Sequence, residues 1–212
     1  MSQIRDFPDH PYQVKDDECM NDLVSSIKER GLIQPIIVRP IDDNLYEMVS
    51  GHRRKRAFEL AGLKSIPAKV VELTRDEAIL VMVDSNLQRE VILPSEKAKA
   101  YKMRLDAMKR QGQRSDLTSN PVGGKLKGME SAGIIGEQSS DSQTQVRRYI
   151  RLTELIPEML DLVDEGKVAM RPAVEISYLP KESQEQLVKA MEFSDATPSH
   201  YQAIRMKNYY RD

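Results

Sequence analysis

The chain has 212 residues, of which 31% are charged and only 5% aromatic, so its cores must be built from aliphatic side chains and methionine. It contains no apolar run of the roughly 18 residues that a membrane span requires, so a cytoplasmic protein is expected. Its single cysteine, Cys19, excludes an internal disulfide and a cysteine-rich zinc site, and is expected to be a buried or half-buried side chain on a helix.

The net charge of −1 conceals an uneven distribution along the chain. Residues 1–93 carry 13 basic and 16 acidic side chains, residues 94–152 carry 12 and 6, and residues 153–212 carry 7 and 11. A basic middle between two acidic flanks is typical of a polyanion-binding surface confined to one segment, because phosphate binding depends on local charge. A solvated helix face that is basic by chance is the alternative.

The first ninety residues alternate short strands with helices, which predicts a compact α/β domain over residues 1–93. Hydrophobic periodicity and capping signals define its elements. They are a helix capped by Asp16 or Asp17 and ended by Gly31, strands at 36–39, 45–49 and 68–73, and a helix at 75–87 that starts with a capping box of Thr74 and Glu77.

The stretch Gly51-His52-Arg53-Arg54-Lys55-Arg56-Ala57 joins the second predicted strand to a helix. A glycine at such a junction lets the backbone approach a ligand closely, and the N–H groups at a helix start carry a partial positive charge that suits phosphate. The three arginines and the lysine reinforce this charge. The stretch is therefore a candidate phosphate site, with a solvated basic helix face as the alternative.

Residues 94–180 are predicted to form a helical domain. Pro94 begins a helix that should end near Gly112, and a mobile loop is predicted at 113–124. The glycine-rich segment 125–137 and a break at 138–142 follow. Further helices are predicted from Pro157 to Gly166, from Pro172 to Pro180, around Leu187 to Met191, and from Thr197 onward, the last two forming a C-terminal extension at 181–212.

A capped helix after the second break carries polar side chains suited to DNA. Ser142 is the cap, and the outward positions are Gln143, Thr144, Gln145, Arg147 and Arg148. Amides pair bidentately with adenine, and arginine pairs with guanine or phosphate, so this helix is predicted to enter the major groove. A merely solvated polar face is the alternative.

Three motifs resemble those of the ParB family of bacterial chromosome and plasmid partition proteins. They are Gly31-Leu32-Ile33-Gln34-Pro35, the stretch from Gly51 to Ala57, and Ser85-Asn86-Leu87-Gln88-Arg89-Glu90. The corresponding family patterns are Gly-Ile-x-Gln-Pro, Gly-Glu-Arg-Arg-x-Arg-Ala and Glu-Asn-Leu-Gln-Arg. His52 and Ser85 stand at the positions of the two family glutamates. The helix with Ser142, Arg151 and Leu152 is similar to the second helix of the family's helix-turn-helix.

The resemblance implies an α+β protein, with a small ParB/sulfiredoxin-like α/β domain followed by an all-helical helix-turn-helix domain. It implies that CTP binds together with Mg²⁺, and no metal site of the protein's own is expected. The implied nucleotide-binding residues are Gln34, Gly51, His52, Arg53, Arg54, Ser85, Asn86 and Arg89, with Gln34 at the γ-phosphate end as the candidate catalytic residue. Hydrolysis is expected to be slow or absent, because serine cannot supply the carboxylate that helps to hold Mg²⁺.

The implied function is that of a partition protein that binds double-stranded DNA at a palindromic, centromere-like site and forms a CTP-gated sliding clamp. The implied DNA-binding residues are Ser142, Gln143, Thr144, Gln145, Arg147, Arg148 and Arg151. A homodimer is expected, through the N-terminal domain when ligand is present and weakly through residues 181–212. The expected location is the nucleoid or a plasmid, with a ParA-type ATPase as a further candidate partner and no membrane association.

Two other functions remain open. A transcriptional regulator of a mobile element, whose nucleotide domain lacks turnover, is compatible with the substitutions at His52 and Ser85. A small-molecule kinase on the same fold is the second alternative, although it leaves the basic helical segment unexplained. The sulfiredoxin version of this fold requires a cysteine in the phosphate loop, where this chain has Gly51 before His52.

Overall fold

The computed structural model describes residues 1–87, 89, 91–116, 135 and 141–210, and the chain forms two compact units, residues 1–88 and 89–212. Residues 117–134 and 136–140, and with them most of the predicted loop and glycine-rich segment, lie outside the described residues. A mixed sheet with helices in the first unit, and helices in the second, give the predicted α+β class. None of the helices in the described ranges is long and apolar enough to cross a membrane.

A four-stranded sheet forms the centre of the first unit. Its strands are β1 (Ile4–Arg5), β2 (Ile36–Asp42), β3 (Leu45–Ser50) and β4 (Ala68–Val70), in the spatial order β1-β3-β2-β4. Strands β2 and β3 form the predicted antiparallel hairpin, while β1 runs parallel to β3 and β4 parallel to β2. Strand β4 is shorter than the predicted 68–73.

The first unit also contains the helices α1 (Glu18–Arg30), α2 (His52–Leu60) and α3 (Arg75–Leu87). Asp17 caps α1 by accepting a hydrogen bond from the Met20 amide at 2.9 Å, as the sequence predicts. The predicted capping box at α3 also forms, because Glu77 accepts hydrogen bonds from the backbone amide and the hydroxyl of Thr74, both at 2.8 Å. The backbone hydrogen bond lowers the pKa of Glu77.

Two hydrophobic clusters hold this unit together. Helices α1 and α2 pack through Met20, Ile27, Ala57 and Phe58, and the sheet contributes Ile36, Val38 and Met48. Cys19 lies on α1, but it is exposed and not buried as expected, because the neighbouring Met20 takes the position on the inner face.

The second unit contains, within the described residues, α4 (Pro94–Asp116), α5 (Gln143–Leu152), α6 (Pro157–Asp164), α7 (Met170–Ile176), α8 (Lys181–Ser194) and α9 (His200–Tyr209). Helix α4 continues past Gly112, so the prediction of a loop at residues 113–116 is wrong; a helix tolerates one glycine at a cost of about 1 kcal/mol. Helix α7 begins at Met170, two residues before the predicted start at Pro172, because a proline is accepted anywhere in the first turn of a helix. It ends three residues before Leu179.

One core joins the helices of the second unit. It includes Leu152 of α5, Met159 of α6, Ile176 of α7, Val188 of α8 and Ala203 of α9. The predicted extension at 181–212 therefore packs on the same core as the preceding helices.

The side chain of Gln184 is fully buried beside this core. It accepts a hydrogen bond from the Ile156 amide at 2.9 Å and donates one to the Leu179 carbonyl at 3.0 Å. These hydrogen bonds satisfy the buried amide of Gln184. They also connect α8 with the start of α6 and with the turn that follows α7.

Candidate functional site

Gly51 lies where β3 turns into α2, and only a glycine fits there. Its φ of 108° is in the left-handed region, and a Cβ atom at this position would lie 2.7 Å from Cγ2 of Ile36. Ile36 is the first residue of β2 and is fully buried, so its side chain has little room to move. Within the described part of the chain no side chain caps α2, and the first amides of this helix are therefore suited to an anion.

Arg54 joins the first two motifs. Its Nη1 atom donates hydrogen bonds to the carbonyl oxygens of Gln34 at 2.6 Å and Pro35 at 2.8 Å. Burial lowers the pKa of the Arg54 guanidinium, which nevertheless stays charged because an arginine starts from such a high value. The contact places the exposed side chain of Gln34, the candidate catalytic residue, on the loop that Arg54 holds.

The other basic residues of α2 are paired with carboxylates that the sequence did not single out as part of the site. Arg53 lies 3.4 Å from Asp17, and Lys55 lies 2.7 Å from Asp6. Arg56 forms a two-pronged contact with Asp16. The acidic run from Asp16 to Glu18 contains two of these partners, and Asp6 lies outside it.

The contact between Arg56 and Asp16 also changes their ionisation. The hydrogen bond lowers the pKa of the Asp16 carboxyl and raises that of the Arg56 guanidinium. Arg56 therefore has a closely bonded partner within the chain. The ion pair of Arg53 is longer, at 3.4 Å, so Arg53 can exchange its carboxylate partner for another anion more readily.

His52 stands on a different face of α2 from Arg54. Its ring lies 3.6 Å, centre to centre, from that of His10. The two histidines line a cavity of about 290 Å³ together with Asp6, Val14, Lys55, Arg56 and Glu59. Two positions along a helix differ by about 200°, so His52 and Arg54 point in different directions. The described residues contain no cluster of three or more metal-ligating His, Cys, Asp or Glu side chains.

The third motif lies at the end of α3. Asn86 is buried, and among the described residues its amide donates only within its own helix, to the Met82 carbonyl at 2.8 Å and to Ser85 Oγ at 3.3 Å. Ser85 is exposed and donates to the same carbonyl at 3.0 Å. Arg89 is half-buried, whereas Gln88 and Glu90 lie outside the described residues. The structure thus brings the first two motifs into contact and keeps the side-chain bonds of Asn86 inside α3.

Helix α5 carries the predicted DNA-binding side chains at different degrees of exposure. Ser142 caps it by accepting a hydrogen bond from the Gln145 amide at 3.2 Å. Val146 and Leu152 are buried against the unit, while Thr144 and Arg147 are exposed. The remaining candidates Gln143, Gln145 and Arg148 are half-buried. Thr144 and Arg147 are therefore the predicted outward side chains that are most accessible from solvent.

Arg151, another predicted DNA-binding residue, has hydrogen-bond partners at the end of α7. Its Nε donates to Ser177 Oγ at 3.0 Å and its Nη2 to the Ser177 carbonyl at 2.7 Å. Its guanidinium carbon lies 4.0 Å from the centre of the Tyr178 ring. No periodicity in the sequence connects α5 with these residues, so the contact was not predicted.

Comparison with known proteins gives matches to both units. The family model described as the ParB N-terminal domain matches residues 1–87. The chromosome-partitioning protein Spo0J of Thermus thermophilus is 34% identical over 168 residues, which are 79% of this chain and 54% of that protein. The nucleoid occlusion protein of Listeria innocua is 30% identical over 182 residues, 86% of this chain and 56% of that protein. The chain spans about half the length of the curated relatives it matches.

A solved structure shares the fold. The C-terminally truncated chromosome-partitioning protein ParB from Caulobacter crescentus, complexed to the centromeric parS site, matches 98% of this chain and 96% of that chain. The TM-score is 0.52 and the sequence identity 23%.

Proposed function

Because the chain belongs to the ParB family, we propose that it binds double-stranded DNA at a palindromic, centromere-like site and acts as a partition protein. The observation that carries the proposal is the polar face of α5, with Thr144 and Arg147 exposed above a buried apolar side. This face lies in the segment 94–152, which has twice as many basic as acidic residues. Basic residues around the helix supply attraction to phosphate, and its amides and arginines supply contacts to base edges.

The proposed DNA contacts are tested with Arg147→Ala and a matched control. Arg205 is an exposed arginine on α9 of the same unit, so Arg205→Ala removes one positive charge away from α5. The probes are a duplex enriched by the protein from a randomised pool, the parS duplex of the Caulobacter relative, and a scrambled duplex of equal length. We expect Arg147→Ala to cost about 1–3 kcal/mol on the enriched duplex and much less on the scrambled one.

The control should leave the difference between the two duplexes unchanged. An equal loss on both duplexes would show that α5 contacts only the DNA backbone. An enriched sequence with two-fold symmetry is also expected, because one helix-turn-helix contacts too few base pairs for useful specificity and a dimer doubles that number.

The same proposal includes a nucleotide site for CTP in the first unit. The left-handed Gly51, the uncapped start of α2 and the charged Arg53 and Arg54 support a triphosphate there. These residues suit phosphate, and Mg²⁺, when bound, would neutralise part of the phosphate charge. At the third motif the described residues offer the hydroxyl of Ser85 and, next to it in the chain, the carboxylate of Asp84 as oxygen ligands. Binding would bring two first units together around DNA, forming the clamp.

Nucleotide binding is tested by titrating the protein with fluorescent CTP, ATP and GTP, with and without the enriched duplex. We expect CTP to bind most tightly, and sedimentation to show a dimer when CTP and DNA are both present. No binding of CTP at any Mg²⁺ concentration would contradict the nucleotide site and leave the DNA-binding proposal standing.

A DNA-binding regulator without nucleotide turnover is the second candidate function. Ser85 favours it, because its hydroxyl donates to the Met82 carbonyl and no carboxylate stands at that position. Such a protein would bind CTP without hydrolysing it, so a phosphate-release assay with DNA and Mg²⁺ present separates the two functions.

A further inference from the structure

Asp141, two residues before the first residue of helix α5, is held by helix α4. Asp141 Oδ2 accepts a hydrogen bond from the Tyr101 hydroxyl at 2.6 Å and another from Lys97 Nζ at 2.8 Å. Tyr101 is fully buried. Because hydrogen bonds to a carboxylate are stronger than those between neutral groups, these contacts fix the point at which α5 begins.

The same two residues of α4 also contact the body of α5. The rings of Tyr101 and Tyr149 meet edge to face, with 5.8 Å between their centres and an angle of 72°. Lys97 Nζ lies 5.0 Å from the centre of the Tyr149 ring. Since residues 141 and 149 are two turns apart, these contacts restrain the rotation of α5 about its axis as well as the position of its start.

The other end of α5 is held by the turn that follows α7. Arg151 donates two hydrogen bonds to Ser177 and stacks its guanidinium on Tyr178. Lys207 of α9 lies 5.3 Å from the centre of the same Tyr178 ring and forms an ion pair with Glu175. The Arg151 guanidinium donates two of its five N–H groups to Ser177 and lies against the Tyr178 ring, so its position is fixed inside the unit.

We propose that Tyr101 and Arg151 are positioning residues that set the orientation of α5, and that Arg151, unlike Arg147, does not itself contact DNA. The inference rests on the proposed DNA-binding function and names the residues on which its specificity depends. Contacts to base edges require side chains to be placed to within about 0.5 Å, whereas attraction to phosphate tolerates larger displacements. Loss of either contact should therefore reduce discrimination between sequences more than it reduces overall attraction to DNA.

The test compares Arg151→Lys, Arg151→Ala and Tyr101→Phe with the wild-type chain. Dissociation constants are measured for the enriched and the scrambled duplex over a series of salt concentrations. We expect each variant to lose about tenfold or more in affinity for the enriched duplex, with little change on the scrambled one. The slope of affinity against salt should stay at its wild-type value, because no phosphate contact is removed.

The Arg151→Lys variant distinguishes a positioning role of Arg151 from a direct contact with DNA. It keeps the positive charge but lacks the planar fork that bonds Ser177 and stacks on Tyr178, so Arg151→Lys should not rescue specificity. If Arg151 bound a phosphate, the lysine variant would bind nearly as wild type, and the alanine variant would lower the salt slope by about one. Either of those results would overturn the inference.

Tyr101→Phe keeps the test decisive if the arginine variants do not fold. It removes one hydroxyl and no charge, and amide hydrogen exchange then reports on α5 directly. Faster exchange of the α5 amides, with specificity reduced, supports the inference; unchanged exchange and full specificity refute it. A wild-type chain that does not discriminate between the enriched and the scrambled duplex overturns the proposed function and the inference with it. Variants that keep the wild-type discrimination overturn the inference alone.

Discussion

Replacing Gly51 with alanine should destabilise the first unit by an amount that follows from the geometry. The left-handed backbone, with φ of 108°, costs an L-residue about 1–2 kcal/mol. The added Cβ would also lie 2.7 Å from Cγ2 and 3.1 Å from Cβ of Ile36, and overpacking of this kind costs about 1–3 kcal/mol. The expected loss is therefore about 2–5 kcal/mol in the free energy of unfolding.

Gly62 supplies the matched control, because its φ of 74° is also left-handed but a Cβ there would have nothing within 4 Å. Gly62→Ala should therefore cost only the backbone strain. Urea unfolding followed by circular dichroism measures both variants, and amide hydrogen exchange in β2 and β3 assigns the loss to the first unit. Adding Ile36→Ala to Gly51→Ala removes the 2.7 Å contact and should recover about 1 kcal/mol relative to additivity.

Two results would contradict this prediction. If Gly51→Ala costs no more than Gly62→Ala, the close approach to Ile36 does not limit the position. If the two substitutions at 36 and 51 are additive, the 2.7 Å contact with Cγ2 of Ile36 does not contribute to the loss. In the expected case the start of α2 is displaced, so CTP binding should be lost together with stability.

Three further outcomes are expected. Arg54→Ala should abolish CTP binding in a fluorescence titration, because the phosphate loses a charged partner and the loop at Gln34 loses its tether; retained affinity would contradict this. Ser85→Glu should raise CTP hydrolysis in a phosphate-release assay by restoring a carboxylate for Mg²⁺, whereas an unchanged rate would locate that role elsewhere. Because its folded-state pKa is lowered, Asp16 stabilises the fold above the unfolded value of about 3.9, and this contribution disappears as the pH falls further. Thermal melts of Asp16→Asn should accordingly show a smaller decline below about pH 4 than wild type.

Elements whose signals are local could be predicted from the sequence. The caps at Asp17 and Ser142 and the capping box at Thr74 each join residues three positions apart, so the residue types alone define them. The hairpin of β2 and β3 follows for the same reason, because two apolar runs flank a short turn. These elements correctly placed Gly51 at the start of α2 and Ser142 at the start of α5.

Contacts between distant residues could not be predicted in this way. Arg56 and Asp16 are 40 residues apart, as are Tyr101 and Asp141, and Arg151 lies 26 residues from Ser177. The sequence alone does not show whether an arginine pairs with a carboxylate of its own chain or is available to a ligand. The length of α4 was missed for a different reason, since a single glycine weakens a helix without ending it.

The double role of Asp17 has a consequence for how the first unit exchanges anions. Its Oδ1 atom accepts from the Met20 amide at 2.9 Å and lies 3.4 Å from Arg53. A triphosphate that binds Arg53 would replace the Asp17 carboxylate as the partner of this guanidinium, and Asp17 would continue to cap α1. At the proposed nucleotide site, α1 would therefore keep its cap when a triphosphate binds, and the affinity would depend on competition between the triphosphate and the Asp17 carboxylate for the Arg53 guanidinium.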